Sequence, residues 1–165
     1  MEFTGEVASG EAAVWVVPAA PERLAEAARL AALAWDVAPA PGRIEEILSH
    51  PGTITLVALD ARYPHGPVVG VTTARLLANR RAISEETVVD DQWRGHGVGR
   101  VLITQMKAIL RAAGVREVRG QSSGTKTREL SFFVREGFRV IDCRIAKNQE
   151  WVADGEKIDE TALVL

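Results

Sequence analysis

Hydrophobic positions along this chain change their period several times, and each change marks an element. After a dozen small, polar, weakly patterned residues comes the apolar run Val14-Trp15-Val16-Val17, a short strand that Pro18 ends. Residues 1–13 are therefore expected to form an arm and residues 14–165 one domain. From Pro21 to Trp35 the spacing Leu24, Ala28, Ala31, Trp35 lines one face of a helix. Pro21 suits its first position, where a missing N–H costs nothing, and Glu22 suits its positive end. A second helix is expected over Pro41–Ser49, with Ile44, Ile47 and Leu48 turned inward and Pro51-Gly52 stopping it.

Thr53–Leu59 and Val68–Leu77 are rich in β-branched residues and flank the breaker-rich Arg62–Pro67, which reads as an antiparallel hairpin; Ile83–Val89 adds a third strand. Gly97–Ala113 repeats Val98, Val101, Leu102, Gln105, Ile109 and Ala113 near the helical period, with Gly114 placed for a left-handed cap. Val115–Gly120 reads as a short strand. Lys126–Glu136 reads as a helix with Leu130, Phe133 and Val134 on one face and Gly137 as its cap. Phe138–Ala146 and Ile158–Leu165 are the last strands. Strands that alternate with helices and then follow one another predict a mixed α/β or α+β domain, one sheet covered by helices.

Composition narrows what such a domain does. In 165 residues, 20 Lys and Arg face 22 Asp and Glu for a net charge of −2, without the basic excess that nucleic acid or an anionic membrane would attract. The single Cys143 closes no intrachain disulfide, and His50, His65 and His96 share no metal-ligand spacing, so no metal is expected. No apolar run reaches the roughly 20 residues of a membrane span, and the N-terminus lacks the basic and apolar stretches of a signal peptide, so a cytoplasmic location is expected.

The most informative stretch is Val88-Val89-Asp90-Asp91-Gln92-Trp93-Arg94-Gly95-His96-Gly97-Val98-Gly99, where a strand ends, glycines follow and the long helix begins. Glycines at such a junction let backbone N–H groups converge on an anion, and the helix start adds partial positive charge, which suits a pyrophosphate. The dinucleotide fingerprint needs Gly-x-Gly-x-x-Gly directly after the strand, and the nucleotide-triphosphatase loop ends in Gly-Lys-Ser/Thr; neither matches.

Arg94-x-x-Gly97-x-Gly99 resembles the Arg/Gln-x-x-Gly-x-Gly/Ala motif of the GNAT superfamily of acyl-CoA-dependent N-acyltransferases. Phe132-Phe133-Val134-Arg135-Glu136-Gly137-Phe138 resembles its second signature, and the order β-α-α-β-β-β-α-β-α-β-β is similar from Val14 to Leu165. The resemblance implies a mixed, mostly antiparallel central sheet flanked by about four helices, and an acetyl group moved from acetyl-CoA to a primary amine in a ternary complex. It implies that Val88 and Val89 offer main-chain groups to the pantetheine arm, while Arg94, Gly95, His96, Gly97, Val98, Gly99 and Arg100 surround the pyrophosphate. Lys126 and Phe133 complete the implied cofactor set. Gly120, Ser122 and Ser123 suit a strand end approached closely by ligand, or a plain exposed turn.

An alkylammonium of pKa about 10.4 is neutral roughly once in 10³ at pH 7, a cost of about 4–5 kcal/mol that a nearby carboxylate removes. Several family members carry a Glu on the strand before the pyrophosphate loop, which makes Glu85 and Glu86 the candidate bases. Strand alternation places Glu85 with Thr87 and Val89, unless a bulge reverses the faces; the alternative for either is a solvated strand face. The resemblance also implies an acceptor, a small-molecule or peptide amine, between the first two helices and the last hairpin, where Trp35, Asp36, Glu150, Trp151 and Asp154 occur; the alternative is Trp35 as core and the acids as solvated loop. Two departures stand out: Phe133 replaces the usual Tyr, and Lys126 stands near a usual Asn. Phe133 motivates a second reading, an acyl-CoA-binding sensor with weak or no transfer. A homodimer is common in the family.

Overall fold

The computed structural model describes residues 13–34, 42–123, 127–146 and 158–164. Among them lie strands β1 (Val14–Pro18), β2 (Thr53–Asp60), β3 (Val68–Leu77), β4 (Arg81–Val89), β5 (Glu117–Ser123), β6 (Arg139–Ala146) and β7 (Ile158–Val164), with helices α1 (Pro21–Ala32), α2 (Arg43–Ser49), α3 (Val98–Ala112) and α4 (Thr127–Arg135). The strands form one sheet in the order β1-β2-β3-β4-β5-β7-β6. Every neighbouring pair is antiparallel except β4 with β5. The mixed, mostly antiparallel sheet with flanking helices is thus the one expected. No helix among the described residues is long and apolar enough to cross a membrane.

Strand alternation divides the core between two faces. Val57, Val71 and Val88 turn toward Ala27, Leu30, Ile44 and Leu48 of α1 and α2. Leu56, Ala58, Ala74 and Ala82 turn the other way, against Val98, Leu102, Met106 and Leu110 of α3 and Phe133 of α4. Gly70 is what lets α3 lie so close: a Cβ there would sit 2.9 Å from Leu102 and 3.0 Å from Val98. Glu26 ties α1 to the sheet, its Oε1 accepting the Val68 N–H at 2.9 Å.

Several expectations shift. α1 stops at Ala32, where Leu33 and Ala34 change to bonds with carbonyls three residues back; Trp35 lies outside the described residues. α2 begins at Arg43, behind Gly42 in the left-handed region, and Pro41 lies outside the described residues. The buried stripe of α3 is wider and rotated: Val98 and Leu102 are buried as expected, Ile103, Met106 and Leu110 join them, Val101 and Ile109 pack only partly buried at its edge, and Ala113 is exposed. The sheet approaches from a direction that periodicity alone does not encode. On α4, Val134 is 48% exposed, so the face is Leu130 with Phe133.

The two glycine caps take the expected form. Gly114 has φ +79°, with its own N–H bonded to Arg111 O and Val115 N–H to Leu110 O, both at 2.9 Å. Gly137 has φ +94°, with its N–H bonded to Val134 O at 3.1 Å and Phe138 N–H to Phe133 O at 3.0 Å. The Phe133 and Phe138 rings meet edge to face at 5.1 Å, the apolar contact that accompanies this cap.

Candidate active site

The site begins where β4 leaves β5. The two pair in parallel only from Arg81–Ser84 against Glu117–Gly120, after which β5 continues beside β7 through Ser123↔Glu160. Glu85–Val89 keeps β3 as its partner, so beyond Ser84 the sheet opens a gap on the other side of β4.

At the same point β4 bulges. Thr72 pairs with Thr87 and Ala74 with Ser84, so Glu85 and Glu86 together oppose Thr73, whose buried Oγ1 accepts the Glu86 N–H at 3.0 Å. A second residue in the space of one resets the alternation. Val88 then faces α1 and α2, while Thr87 faces α3, its hydroxyl 2.8 Å from that of Thr72. Glu85 therefore lies on the face opposite Thr87 and Val89, which overturns the placement from simple alternation. Its Oε1 accepts Nε–H of Arg75 at 2.7 Å, and both line a pocket of about 340 Å³ with Arg43, Glu46, Ile47 and His50.

The bulge also decides which peptide groups meet the gap. Glu86 N–H and Asp90 N–H both turn toward β3, the latter to Val69 O at 3.0 Å. The two-residue period sends Val88 N–H the same way and Thr87 and Val89 toward the gap. Of the two valines singled out from sequence, Val89 presents its amide; Val88 contributes packing. Thr87 was missed, because only the bulge reveals its orientation.

Beyond Val89 a single 3₁₀ turn, Asp91–Trp93, leads into the glycines. Gly95 and Gly97 take φ +79° and +85°, and Gly97 is the N-cap of α3. Val101 is the first residue of α3 to find a carbonyl of the loop, Gly97 O at 3.1 Å, and N–H groups from Gly95 through Gly99 donate to no acceptor among the described residues. No acid occupies the first turn of α3, which leaves its positive end uncompensated there. These are the properties an anion cradle needs.

The side chains around the loop serve mainly to shape it. Arg94 donates from Nε to Val89 O at 3.1 Å and pairs with Asp91 at 2.6 Å. His96 Nδ1 donates to Arg94 O at 2.9 Å. Arg100 reaches Glu136 at 3.5 Å, and Lys107 caps the end of α4 through Glu136 O at 2.6 Å. Gly99 is packed closely: a Cβ there would lie 3.2 Å from the Phe132 ring, which would have to give by a few tenths of an ångström.

Phe133, in the implied cofactor set, is 8% exposed inside the α3-side core. Phe132 is the aromatic ring of α4 that approaches Gly99; it meets Phe133 edge to face at 5.3 Å but, about 100° further round the helix, is only partly buried against the same core. Tyr63, distant in sequence from the glycines, lies on the β2–β3 turn beside Arg62, whose guanidinium also covers Trp93 of the loop. Lys126 and the acceptor candidates Trp35, Asp36, Glu150, Trp151 and Asp154 lie outside the described residues, as do the side chains of Ser122, Ser123 and Cys143. A larger apolar groove of about 720 Å³, between Leu24, Leu48, Ile54 and Ile109, contains neither bulge nor loop residues.

Residues 51–140 match the family model for an acetyltransferase (GNAT) domain. No curated protein sequence matches the chain. Among solved structures, Arabidopsis thaliana NAA60 in complex with a bisubstrate analogue is similar at 15% identity and TM-score 0.76, over 92% of this chain and 97% of that one. The ribosomal-protein-S18-alanine N-acetyltransferase of Escherichia coli is similar at 14% identity and TM-score 0.74, over 92% of each chain. A putative streptothricin acetyltransferase of Bacillus anthracis, in complex with acetyl coenzyme A, is similar at 20% identity and TM-score 0.61, over 71% of this chain and 64% of that one.

Proposed function

The chain belongs to the GNAT acetyltransferase family, and from that premise we propose that it moves an acetyl group from acetyl-CoA to a primary amine, directly, within a ternary complex. The observation that carries the reading is the parting of β4 from β5 at Ser84, which leaves strand-like peptide groups facing a gap that ends at uncompensated amides. An extended pantetheine arm suits the first and a pyrophosphate the second. Acetyl-CoA supplies an acyl thioester already activated toward an amine.

The chain's own residues then have separable tasks. Amides of Gly95–Gly99 and the start of α3 hold the pyrophosphate, and the N–H groups of Thr87 and Val89 orient the arm and the thioester oxygen. Glu85 and Glu86 both come from the bulge, and one of them takes the ammonium proton of the acceptor, removing a barrier of about 4–5 kcal/mol near neutrality. Holding the two substrates in line supplies about 7–11 kcal/mol, against about 10²–10⁴-fold for a positioned base, so positioning dominates. The buried Phe133 has no hydroxyl for a departing thiolate; a CoA thiol, with pKa about 8.5, leaves with water alone. Peptide and protein amines join small amines as acceptor classes, since one structural neighbour is a ribosomal-protein-S18-alanine N-acetyltransferase.

The test is calorimetric titration with acetyl-CoA and with CoA, followed by thiol release against pooled aminoglycosides, polyamines, amino acids and peptides. Binding with amine-dependent release is the expected result. Binding without release across the whole panel would favour an acyl-CoA sensor, and no binding would remove the cofactor assignment.

A further inference from the structure

The glycine loop has a support that the reaction itself does not require, and it comes from the turn after β2. Asp60 ends that strand with 2% of its surface exposed, and its N–H bonds Pro67 O at 3.1 Å across the turn. Its carboxylate accepts the Arg62 N–H at 3.0 Å, Nε–H at 2.9 and 3.1 Å, and Nη2–H at 2.7 Å. The turn is closed tightly over this pair: a Cβ on Gly66 would lie 1.9 Å from Asp60 O. These hydrogen bonds from Arg62 outweigh the opposing effect of burial and hold the carboxyl below the usual carboxylate range. Arg62 is 65% exposed, so the pair contributes little by Coulomb attraction alone. What it contributes is direction. The guanidinium is aimed so that Cζ lies 5.1 Å from the centroid of the Trp93 ring.

Trp93 packs its other contacts on the α3-side core and ends the 3₁₀ turn, with its N–H on Asp90 O at 2.9 Å and Arg94 N–H on Asp91 O at 3.4 Å. Gly95 follows two residues later with φ +79°, in a segment whose glycines give the unliganded loop many alternative paths. Such a loop binds well only when its lead-in is already held. We propose that the Asp60–Arg62 pair is a positioning device that clamps Trp93 and presents the amides of Gly95–Gly99 to the pyrophosphate of acyl-CoA. This rests on the reading of that loop as the pyrophosphate site. Arg62 and Asp60 are positioning residues, acting through Trp93 and touching no reacting atom.

The experiment compares Arg62→Ala, Trp93→Leu and the double variant with the wild-type chain. Each single change should raise Kd and KM for acetyl-CoA about three- to tenfold, leaving kcat at saturating acetyl-CoA and KM for the acceptor within about twofold; the double variant should be no weaker than about the worse single. Independently of ligand, amide hydrogen exchange at Trp93 and Arg94 should quicken about tenfold or more in Arg62→Ala, with α1 and β1 unchanged. Unchanged exchange overturns the clamp. Faster exchange with unchanged Kd, or single effects that multiply in the double variant, overturns its role in binding. A wild-type chain that does not bind acetyl-CoA removes the pyrophosphate reading, while exchange at Trp93 and Arg94 still decides whether Arg62 holds the loop.

Discussion

Arg81–Ser84 of β4 pair with β3 on one side and β5 on the other, whereas Glu85–Val89 of the same strand pair with β3 alone. The first segment carries small buried side chains, Ala82 fully and Ser84 nearly so, and its peptide groups are spent on neighbours. The second carries two glutamates on a bulge and leaves peptide groups toward a gap. One strand thus anchors the fold with its first half and leaves its second half open on one side. The change between them is made by one extra residue, which costs the sheet a ladder position and re-aims every side chain that follows.

Changes in the two halves should therefore fail in different ways. Ala82→Asp places a charge in the α3-side core without a partner and should cost at least about 3 kcal/mol, unfolding the protein or moving its urea midpoint far down. In the open half, Glu85→Gln and Glu86→Gln should keep the midpoint close to wild type. The one that removes the base should lower kcat about 10²-fold or more near pH 7, with the deficit shrinking at high pH where the amine is already neutral. A deficit equal at all pH values would count against that residue as the base.

At the end of the open half, Gly95→Asp and Gly95→Asn share a backbone cost at φ +79° and differ in charge, with no atom within 4 Å of either Cβ. Acetyl-CoA should bind the Asp variant about tenfold more weakly than the Asn variant; equal affinities would mean that no phosphate sits there. At the other end, Arg80 turns the chain into the paired half with φ +58°, its carbonyl accepting from Arg116 N–H at 2.8 Å and Glu117 N–H at 3.4 Å. Arg80→Gly should raise stability by up to about 1 kcal/mol, read as a shift in the urea midpoint, and leave KM alone.

The smallest effect concerns acid. Hydrogen bonds from Arg62 lower the Asp60 carboxyl below its ordinary value near 3.8, against the opposing effect of burial. Its contribution to stability is therefore complete above that ordinary value and is lost as pH falls through the lower folded value. Titrating unfolding from pH 5 to about pH 2 should show a steeper loss in wild type than in Asp60→Asn; parallel curves would mean that the pair is not held in solution.

Element order and the two glycine-capped helix ends were legible in the chain because their signals are local. A glycine after a periodic apolar run needs nothing distant to act as a left-handed cap, and Gly114 and Gly137 do so. Glu85 and Glu86 were legible as residues, yet their face was not, because the bulge arises from β4 matching β3 and cannot be counted within one strand. The same limit explains Phe133. An aromatic pair at the start of a family motif says that a helix has two rings there, and only the approach of α3, with Gly99 under Phe132, says which ring meets the loop. The nearness of Arg62 to Trp93 likewise depends on how two turns at one end of the sheet come together.

The amino-acid sequence by itself determined the family motif, the glycines at 95, 97 and 99, and the succession of strands and helices, since each follows from backbone preference or periodicity within a few residues. Tertiary structure alone decided where β4 parts from β5, which peptide groups face the gap, which phenylalanine is core and which arginine braces the loop. Those outcomes depend on register and on close approach between segments distant along the chain, where a shift of one residue exchanges the two faces of a strand.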